Sequence, residues 1–109
     1  MSGSDTLVAP SSHTPFHLGR VVITPAARDQ LAAMGLSPNT YLTRHRRNDW
    51  GDLSADDAAL NGAALADGNH RLFSSYHLDP EADDPEANRL WIITEHDRSV
   101  TTILLPSDY

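Results

Sequence analysis

Hydrophobic and polar positions alternate most regularly near the C-terminal end of the chain. Residues 90–94 and 100–105 are two runs of mostly large apolar and β-branched residues, separated by a polar segment at 95–98. Such residues favour a pleated strand with one buried face, and Asp97 in the polar segment can bond the backbone of a turn. The pattern predicts a β-hairpin. Strand alternation requires Leu90 and Trp91 to lie on opposite faces, with one of them in the core beneath the helices.

Helix start signals precede three segments upstream of the hairpin. Thr24 and Ser37 are each followed by Pro, and Ser54 is followed three residues later by Asp57, which are typical N-cap patterns. The predicted elements are a strand over 20–24, helices over 26–34, 38–47 and 55–66, and a further strand over 71–78. The expected inward face of the third helix consists of Ala59, Leu60, Ala63 and Ala64.

This order of elements predicts an α+β fold: a short N-terminal strand, three helices, then a three-stranded antiparallel β-meander with the helices packed on one face. The first strand could pair at an edge of that sheet. Residues 1–18 have no hydrophobic period and are rich in Ser, Thr, Pro and His, so they are expected to form a flexible N-terminal tail. Residues 19–109 are expected to form a single α+β domain, with an exposed acidic loop over 79–88.

Composition narrows the possible functions. The 109-residue chain has a formal net charge of −7 and no cysteine, which excludes disulfides and thiolate chemistry. An acidic domain forgoes the counterion release that drives nucleic-acid binding, which disfavours a nucleic-acid partner. No apolar run approaches ~18 residues, the length of a membrane span, and no secretion signal is recognisable. A cytoplasmic location is therefore expected, with no membrane contact and no cofactor.

One polar segment, residues 44–52, is the candidate functional stretch. Its sequence is Arg-His-Arg-Arg-Asn-Asp-Trp-Gly-Asp. On a structural interpretation, the cationic residues complement the C-terminal end of the second helix, and Trp50 fills the corner before the third. On a functional interpretation, Arg46, Arg47 and Trp50 form an exposed binding surface. Truncation of Trp50 separates the two, because only the structural interpretation predicts a large loss of stability.

A catalytic version of the functional interpretation uses His45 as a general base, Arg44 as a phosphate clamp and the Thr102 hydroxyl as a transition-state donor. These are the groups that a metal-independent ribonuclease requires. No spacing in the chain is diagnostic of such a site, and none matches a P-loop, a dinucleotide fingerprint or a zinc helix. No metal site is expected. A buried His45 with no adjoining cleft would count against this alternative.

Several short motifs resemble an uncharacterised bacterial family of plasmid-related proteins. They are Arg-His-x-x-x-Asp-Trp-Gly-Asp over 44–52, Asn61 and Leu65, Leu-x-Ser-x-Tyr over 72–76, Trp-Ile-Ile-Thr-Glu over 91–95, and Asp-Arg-Ser-Val-Thr-Thr-Ile-Leu-Leu-Pro over 97–106. The resemblance covers about residues 20–109. It implies a small protein carried by plasmids and integrative elements, and it brings no established activity. The order of three helices and an antiparallel meander is also similar in layout to the barnase, RelE and colicin nuclease-like group.

Three functions stay open at this point. Small size, acidic charge and the lack of a catalytic signature favour an accessory protein of a mobile element that binds another protein, with the acidic loop over 79–87 attracting a basic partner. The alternative is an RNase-like enzyme or toxin that uses His45 and Arg44. A DNA-contacting regulator is a third possibility, but the basic helix is short and ends in Asn-Asp-Trp-Gly.

Overall fold

The computed structural model describes residues 16–68 and 70–109, and this part of the chain forms an α+β domain. Its elements in chain order are β1 (Arg20–Ile23), α1 (Pro25–Ala33), α2 (Pro38–Arg46), α3 (Ala55–Asp67), β2 (Leu72–His77), β3 (Arg89–Thr94) and β4 (Val100–Leu104). Short 3-10 turns cover Pro85–Ala87 and Pro106–Asp108. The α+β class, the three helices and the C-terminal hairpin are therefore confirmed.

The predicted helix start signals form the expected caps. The Thr24 hydroxyl accepts a hydrogen bond from the Ala27 N–H at 3.1 Å, and the Ser54 hydroxyl accepts one from the Asp57 N–H at 3.1 Å. Ser37 caps α2 in the same way, through the N–H of Asn39. Each bond satisfies a backbone donor that has no partner inside its helix. Local sequence therefore determines where all three helices begin.

The sheet differs from the predicted meander. Strands β2, β3 and β4 are antiparallel neighbours as expected, but β1 joins the sheet beside β4 and runs parallel to it, with Arg20 opposite Val100 and Ile23 opposite Ile103. The result is a mixed four-stranded sheet with the order β1-β4-β3-β2. The predicted three-stranded sheet was therefore incomplete: β1 takes an edge position, as was left open, and its parallel direction makes the sheet mixed, which was not predicted.

The two faces of the sheet have different surroundings. The covered face packs against α1 and α2, and its residues are Leu72, Ser74, Tyr76, Leu90, Ile92, Thr94, Thr101 and Ile103. The open face consists of the alternate residues Phe73, Ser75, His77, Arg89, Trp91, Ile93, Thr102 and Leu104. Leu90 is fully buried, whereas Trp91 is half-buried on the open face. Leu90 is therefore the inward member of the pair that alternation separated.

Helix α3 lies along the outer edge of β2, not over the sheet with the other two helices. The Asn61 side-chain amide bonds both backbone groups of Phe73: its Nδ2 donates to the carbonyl at 2.6 Å, and its Oδ1 accepts from the N–H at 3.0 Å. The buried residues of α3 are Asn61 and Ala64. The predicted inward face was therefore wrong for Ala59, Leu60 and Ala63, which are exposed, and Leu60 is 68% exposed.

The predicted N-terminal tail falls mostly outside the described residues. Its last three residues, 16–18, are described and contact the domain. The Phe16 ring lies 5.5 Å from the His45 ring, and the Leu18 carbonyl accepts a hydrogen bond from the Thr101 hydroxyl at 2.7 Å. The ordered contacts of the described chain thus begin at Phe16. Among residues 16–68 and 70–109, no helix has the length and apolar character needed to cross a bilayer.

Candidate functional site

The segment after α2 extends the sheet at the free edge of β2. The Ser75 N–H donates to the Trp50 carbonyl at 3.1 Å, and the Asp52 N–H donates to the Ser75 carbonyl at 2.6 Å, so that Gly51 and Ser75 form a parallel β-bridge. The Asp52 carboxylate also accepts from the His77 N–H at 2.9 Å. Together with Asn61, this segment satisfies the outward backbone groups of β2, which would otherwise invite pairing with another chain.

Arg44 and Asp49 hold this segment in place. The Arg44 guanidinium donates to both Asp49 carboxylate oxygens, at 2.6 and 3.3 Å, and the Gly51 N–H donates to the same carboxylate at 3.1 Å. The Tyr76 hydroxyl donates to the Asp49 carbonyl at 2.7 Å. The hydrogen bond from Arg44 lowers the pKa of Asp49, which keeps this carboxylate ionised. Arg44 therefore organises the connector and is not a free phosphate clamp.

His45 is fully buried and belongs to a chain of hydroxyl groups. Its Nδ1 lies 2.6 Å from the Ser74 hydroxyl, and its Nε2 lies 2.9 Å from the Thr94 hydroxyl. The Thr94 hydroxyl lies 2.7 Å from that of Thr101, which donates to the Leu18 carbonyl.

The order of donors in this chain determines the tautomer of His45. A carbonyl can only accept, so Thr101 uses its proton on Leu18 and must accept from Thr94. Thr94 then accepts from Nε2–H of His45, and Nδ1 accepts from Ser74. Burial lowers the pKa of His45 to about 3, so the ring is neutral at physiological pH. Both ring nitrogens of the buried His45 therefore have hydrogen-bond partners.

The three residues proposed for catalysis do not converge. His45 contacts the covered face of the sheet, whereas Thr102 lies on the open face, because it stands opposite Ile93 in the register. Arg44 is directed to Asp49. The rings of Phe16 and Trp50 pack beside His45 in T-shaped contacts, at 5.5 and 5.6 Å between ring centroids. Among the residues that the structure describes, these three side chains therefore do not face a common site.

The predicted binding residues Arg46, Arg47 and Trp50 have different surroundings. Arg46 and Arg47 are exposed at the end of α2, and neither forms an ion pair or side-chain hydrogen bond with any residue that the structure describes. The Trp50 ring is half-buried between His45 and Phe16. Trp50 therefore packs as the structural interpretation requires, and the two arginines are left as a small exposed basic pair.

A different surface has the character of a binding site. On the open face, the Phe73 and Trp91 rings meet edge to face at 5.1 Å between centroids, and the Trp91 and Tyr109 rings meet in the same way at 5.7 Å. Tyr109 is 72% exposed, and the Arg71 guanidinium stands over its ring at 5.7 Å. These residues and Ile93 line an apolar pocket of about 270 Å³, here called the aromatic pocket.

A second depression adjoins the same aromatic pair. This acidic groove has a volume of about 530 Å³ and runs between the open face and the start of α3. Its residues are Asp52, Leu53, Ser54, Asp57, Phe73, Ser75, Glu86, Arg89, Trp91 and Pro106. Phe73 and Trp91 line both depressions, so they form a ridge between an apolar pocket and a polar groove.

The floor of the acidic groove is an ordered polar cluster. The Arg89 guanidinium donates to both Glu86 oxygens, at 2.6 and 3.0 Å, and to the Ser75 hydroxyl. His77 lies 2.7 Å from Glu86 through Nε2 and 3.3 Å from Asp52 through Nδ1. The hydrogen bonds from Arg89 and then from His77 lower the pKa of Glu86 to about 2, so its charge persists over the physiological range.

Sequence analysis pointed to residues 44–52 and missed this face. The signal was present in the alternation of β2 and β3, because Phe73 and Trp91 fall on the face opposite Leu72 and Leu90. The contribution of Tyr109 carried no such signal, since this residue lies outside any strand. In the part of the chain that the structure describes, no group of three His, Asp or Glu side chains is arranged to hold a metal.

Comparisons with known proteins add no further constraint on the site. No protein-family model, curated protein or solved structure matches this chain.

Proposed function

We propose that this protein is a non-enzymatic module that binds another protein through the open face of its sheet. The observation that carries the proposal is the row of rings formed by Phe73, Trp91 and Tyr109, in which Tyr109 is exposed and the other two are half-buried. Large aromatic residues dominate the binding energy of protein interfaces, and exposed apolar patches rimmed by polar groups mark interaction sites. Phe73 and Trp91 lie on strands and not on a loop, so these two rings need little ordering on binding.

The charge around the open face favours a protein over a nucleic acid. Three carboxylates line the acidic groove, and Glu95 lies 3.6 Å from Arg71 beside the aromatic pocket. The whole chain carries a formal net charge of −7. A single-stranded nucleic acid also stacks on aromatic residues, but it needs a positively charged groove to track its phosphates. The acidic surroundings would instead attract a basic protein surface.

No observation favours the ribonuclease alternative. A general base must reach the proton that it removes, and the His45 ring is fully buried with both nitrogens bonded to hydroxyl groups. The role of an accessory protein on a bacterial mobile element, acting in the cytoplasm, belongs to the same proposal. It rests on the resemblance of residues 44–52 and the other quoted motifs, not on the geometry of the open face.

Affinity capture with matched variants tests the proposal. Wild-type protein, Tyr109→Ala and Leu60→Ala would be used to capture proteins from a lysate of the encoding organism, with RNA recovered from the same samples. Tyr109 and Leu60 are both exposed large residues, but only Tyr109 lines the aromatic pocket. We expect at least one protein to bind wild type and Leu60→Ala and to be lost with Tyr109→Ala.

The captured protein would then be purified and its affinity measured by calorimetry. A weakening of about tenfold or more for Tyr109→Ala, with Leu60→Ala unchanged, is the expected result for a central aromatic contact. Equal affinities of the three proteins would overturn the proposal. Recovery of RNA that depends on Tyr109 would replace it with a nucleic-acid function.

A further inference from the structure

The acidic groove has more negative charge than its own cation neutralises. Arg89 is the basic residue among its lining groups, and it is already bonded to Glu86 and Ser75. Asp52 accepts from the His77 backbone, and its side chain is 44% exposed. Within residues 16–68 and 70–109, no ion pair or hydrogen bond engages the Asp57 carboxylate. Two carboxylates in this groove thus retain oxygens that a ligand can bond.

Two aromatic residues also line the groove. They are Phe73 and Trp91, whose rings meet edge to face. Ring faces attract cations because of their quadrupole, and an Arg guanidinium also stacks on them as a flat group. Aromatic rings and carboxylates that line the same groove are together complementary to a cation that is flat, partly apolar and rich in donors.

We propose that the acidic groove binds an arginine side chain of the partner protein. This inference rests on the proposed function and gives the partner its chemistry. The guanidinium stacks on the Phe73 and Trp91 rings and donates to Asp57 and Asp52. An apolar side chain of the same partner segment enters the aromatic pocket on the other side of the ridge. The partner is therefore a segment that carries an arginine next to an apolar residue.

Arginine fits better than the other cationic side chains. A lysine ammonium is a strongly hydrated point charge, and it cannot bond two carboxylates in one plane or stack as a flat group. The groove volume of about 530 Å³ admits a whole extended side chain. Phosphate groups are repelled by the same carboxylates, so a nucleic acid does not fit this groove.

The test uses a small probe on the intact protein. N-acetyl-arginine methylamide would be titrated into isotope-labelled protein while the indole N–H signals of Trp50 and Trp91 are followed by NMR. N-acetyl-citrulline methylamide, which has a similar shape and no charge, is the control ligand. We expect saturable shifts at Trp91 and not at Trp50, with citrulline binding at least fivefold more weakly.

Substitutions at two neighbouring positions distinguish binding in the groove from general attraction between charges. Asp56 and Asp57 both lie in the first turn of α3, but only Asp57 lines the groove. Asp57→Asn should weaken binding of the arginine probe at least fivefold, and Asp56→Asn should change it less than twofold. Equal effects of the two variants, equal binding of citrulline, or shifts produced instead by a single-stranded oligonucleotide would overturn the inference.

This outcome is distinguishable from failure of the proposed function. If the arginine probe does not bind while Tyr109→Ala still loses its captured protein, the open face is a protein-binding surface and the arginine inference alone is wrong. If the probe binds at Asp57 but capture is independent of Tyr109, the groove binds an arginine side chain, whereas the proposed function and the apolar contact in the aromatic pocket are wrong.

Discussion

Gly51 lies so close to Ser75 that a Cβ atom at residue 51 would overlap the Ser75 carbonyl oxygen. The same atom would overlap the Tyr76 ring, and the backbone of Gly51 has a φ angle of +76°. This contact allows the connector between α2 and α3 to pair with the edge of β2. Residues 49–52 of this motif therefore cap the edge of β2.

Gly51→Ala should destabilise the protein strongly. The substitution combines a strained positive φ angle with overlap against a backbone oxygen that cannot move away, and we expect a loss of about 3 kcal/mol or more. Denaturant unfolding followed by circular dichroism gives the measurement.

Gly62→Ala is the matched control for Gly51→Ala. Gly62 lies in α3, where an added Cβ meets nothing within 4 Å. Helix propensity predicts a gain of about 1 kcal/mol for this substitution. If the two substitutions changed stability by the same amount, close approach at Gly51 would not be the cause.

Asn61→Ala should destabilise the protein more than Leu60→Ala, although an apolar residue is more often the buried one. Asn61→Ala removes both hydrogen bonds to Phe73 and exposes the β2 edge, so we expect a loss of about 2 kcal/mol or more. Leu60 is 68% exposed, and Leu60→Ala should change stability by less than about 0.5 kcal/mol. Denaturant unfolding of both variants measures these losses. A larger loss of stability for Leu60→Ala would show that α3 is rotated about its axis.

Acid should destabilise the fold through His45. Its pKa is about 3 in the folded protein and 6.5 for the free side chain, so between these values the unfolded chain binds more protons than the folded one. Stability from this group is therefore present above pH 6.5 and falls as the pH is lowered towards 3, by about 1.4 kcal/mol per pH unit. Denaturant melts between pH 7 and pH 4 provide the slope.

A His45→Gln variant isolates this contribution. Gln does not titrate, so its stability should depend less steeply on pH over the same range, while the carboxylate terms, including that of Asp49, remain in both proteins. The difference between wild type and variant in the slope of unfolding free energy against pH gives the contribution of His45. Parallel slopes would mean that folding does not lower the pKa of His45.

Trp50→Ala should lower stability by about 2 kcal/mol or more, because its half-buried ring packs against His45 and Phe16. The paired substitution Arg46→Ala with Arg47→Ala should stay within about 0.5 kcal/mol of wild type, since both side chains are exposed. Thermal melts measure both. An unchanged midpoint for Trp50→Ala would return residues 44–52 to consideration as a binding site.

The parts of the fold that were predictable are those with local causes. The caps at Thr24, Ser37 and Ser54 need only neighbouring residues, and the hairpin of β3 and β4 needs only strand propensity and a turn. The covered and open faces also follow from alternation once the strands are placed. This is why Leu90 and Trp91 could be assigned to opposite faces before their surroundings were known.

The errors arose where a distant contact overrides the local pattern. Leu60 was expected to be inward because apolar residues of a surface helix usually face a core, but α3 lies at the sheet edge and turns Asn61 inward to bond Phe73. His45 was considered as a base because its partners, Ser74 and Thr94, are distant in the sequence. The aromatic pocket likewise requires Tyr109 to return over Trp91, which no periodicity encodes.

The parallel pairing of β1 with β4 has a consequence for how the chain assembles. Arg20 pairs with Val100 and Ile23 with Ile103, so all three helices and two strands lie between the members of this pair. A hairpin closes in microseconds, whereas contacts between distant segments carry a larger loop-closure cost and form late. During translation the first strand leaves the ribosome long before its neighbour in the sheet has been made. The pairing of β1 with β4, which encloses the three helices, therefore cannot form until β4 has been synthesised.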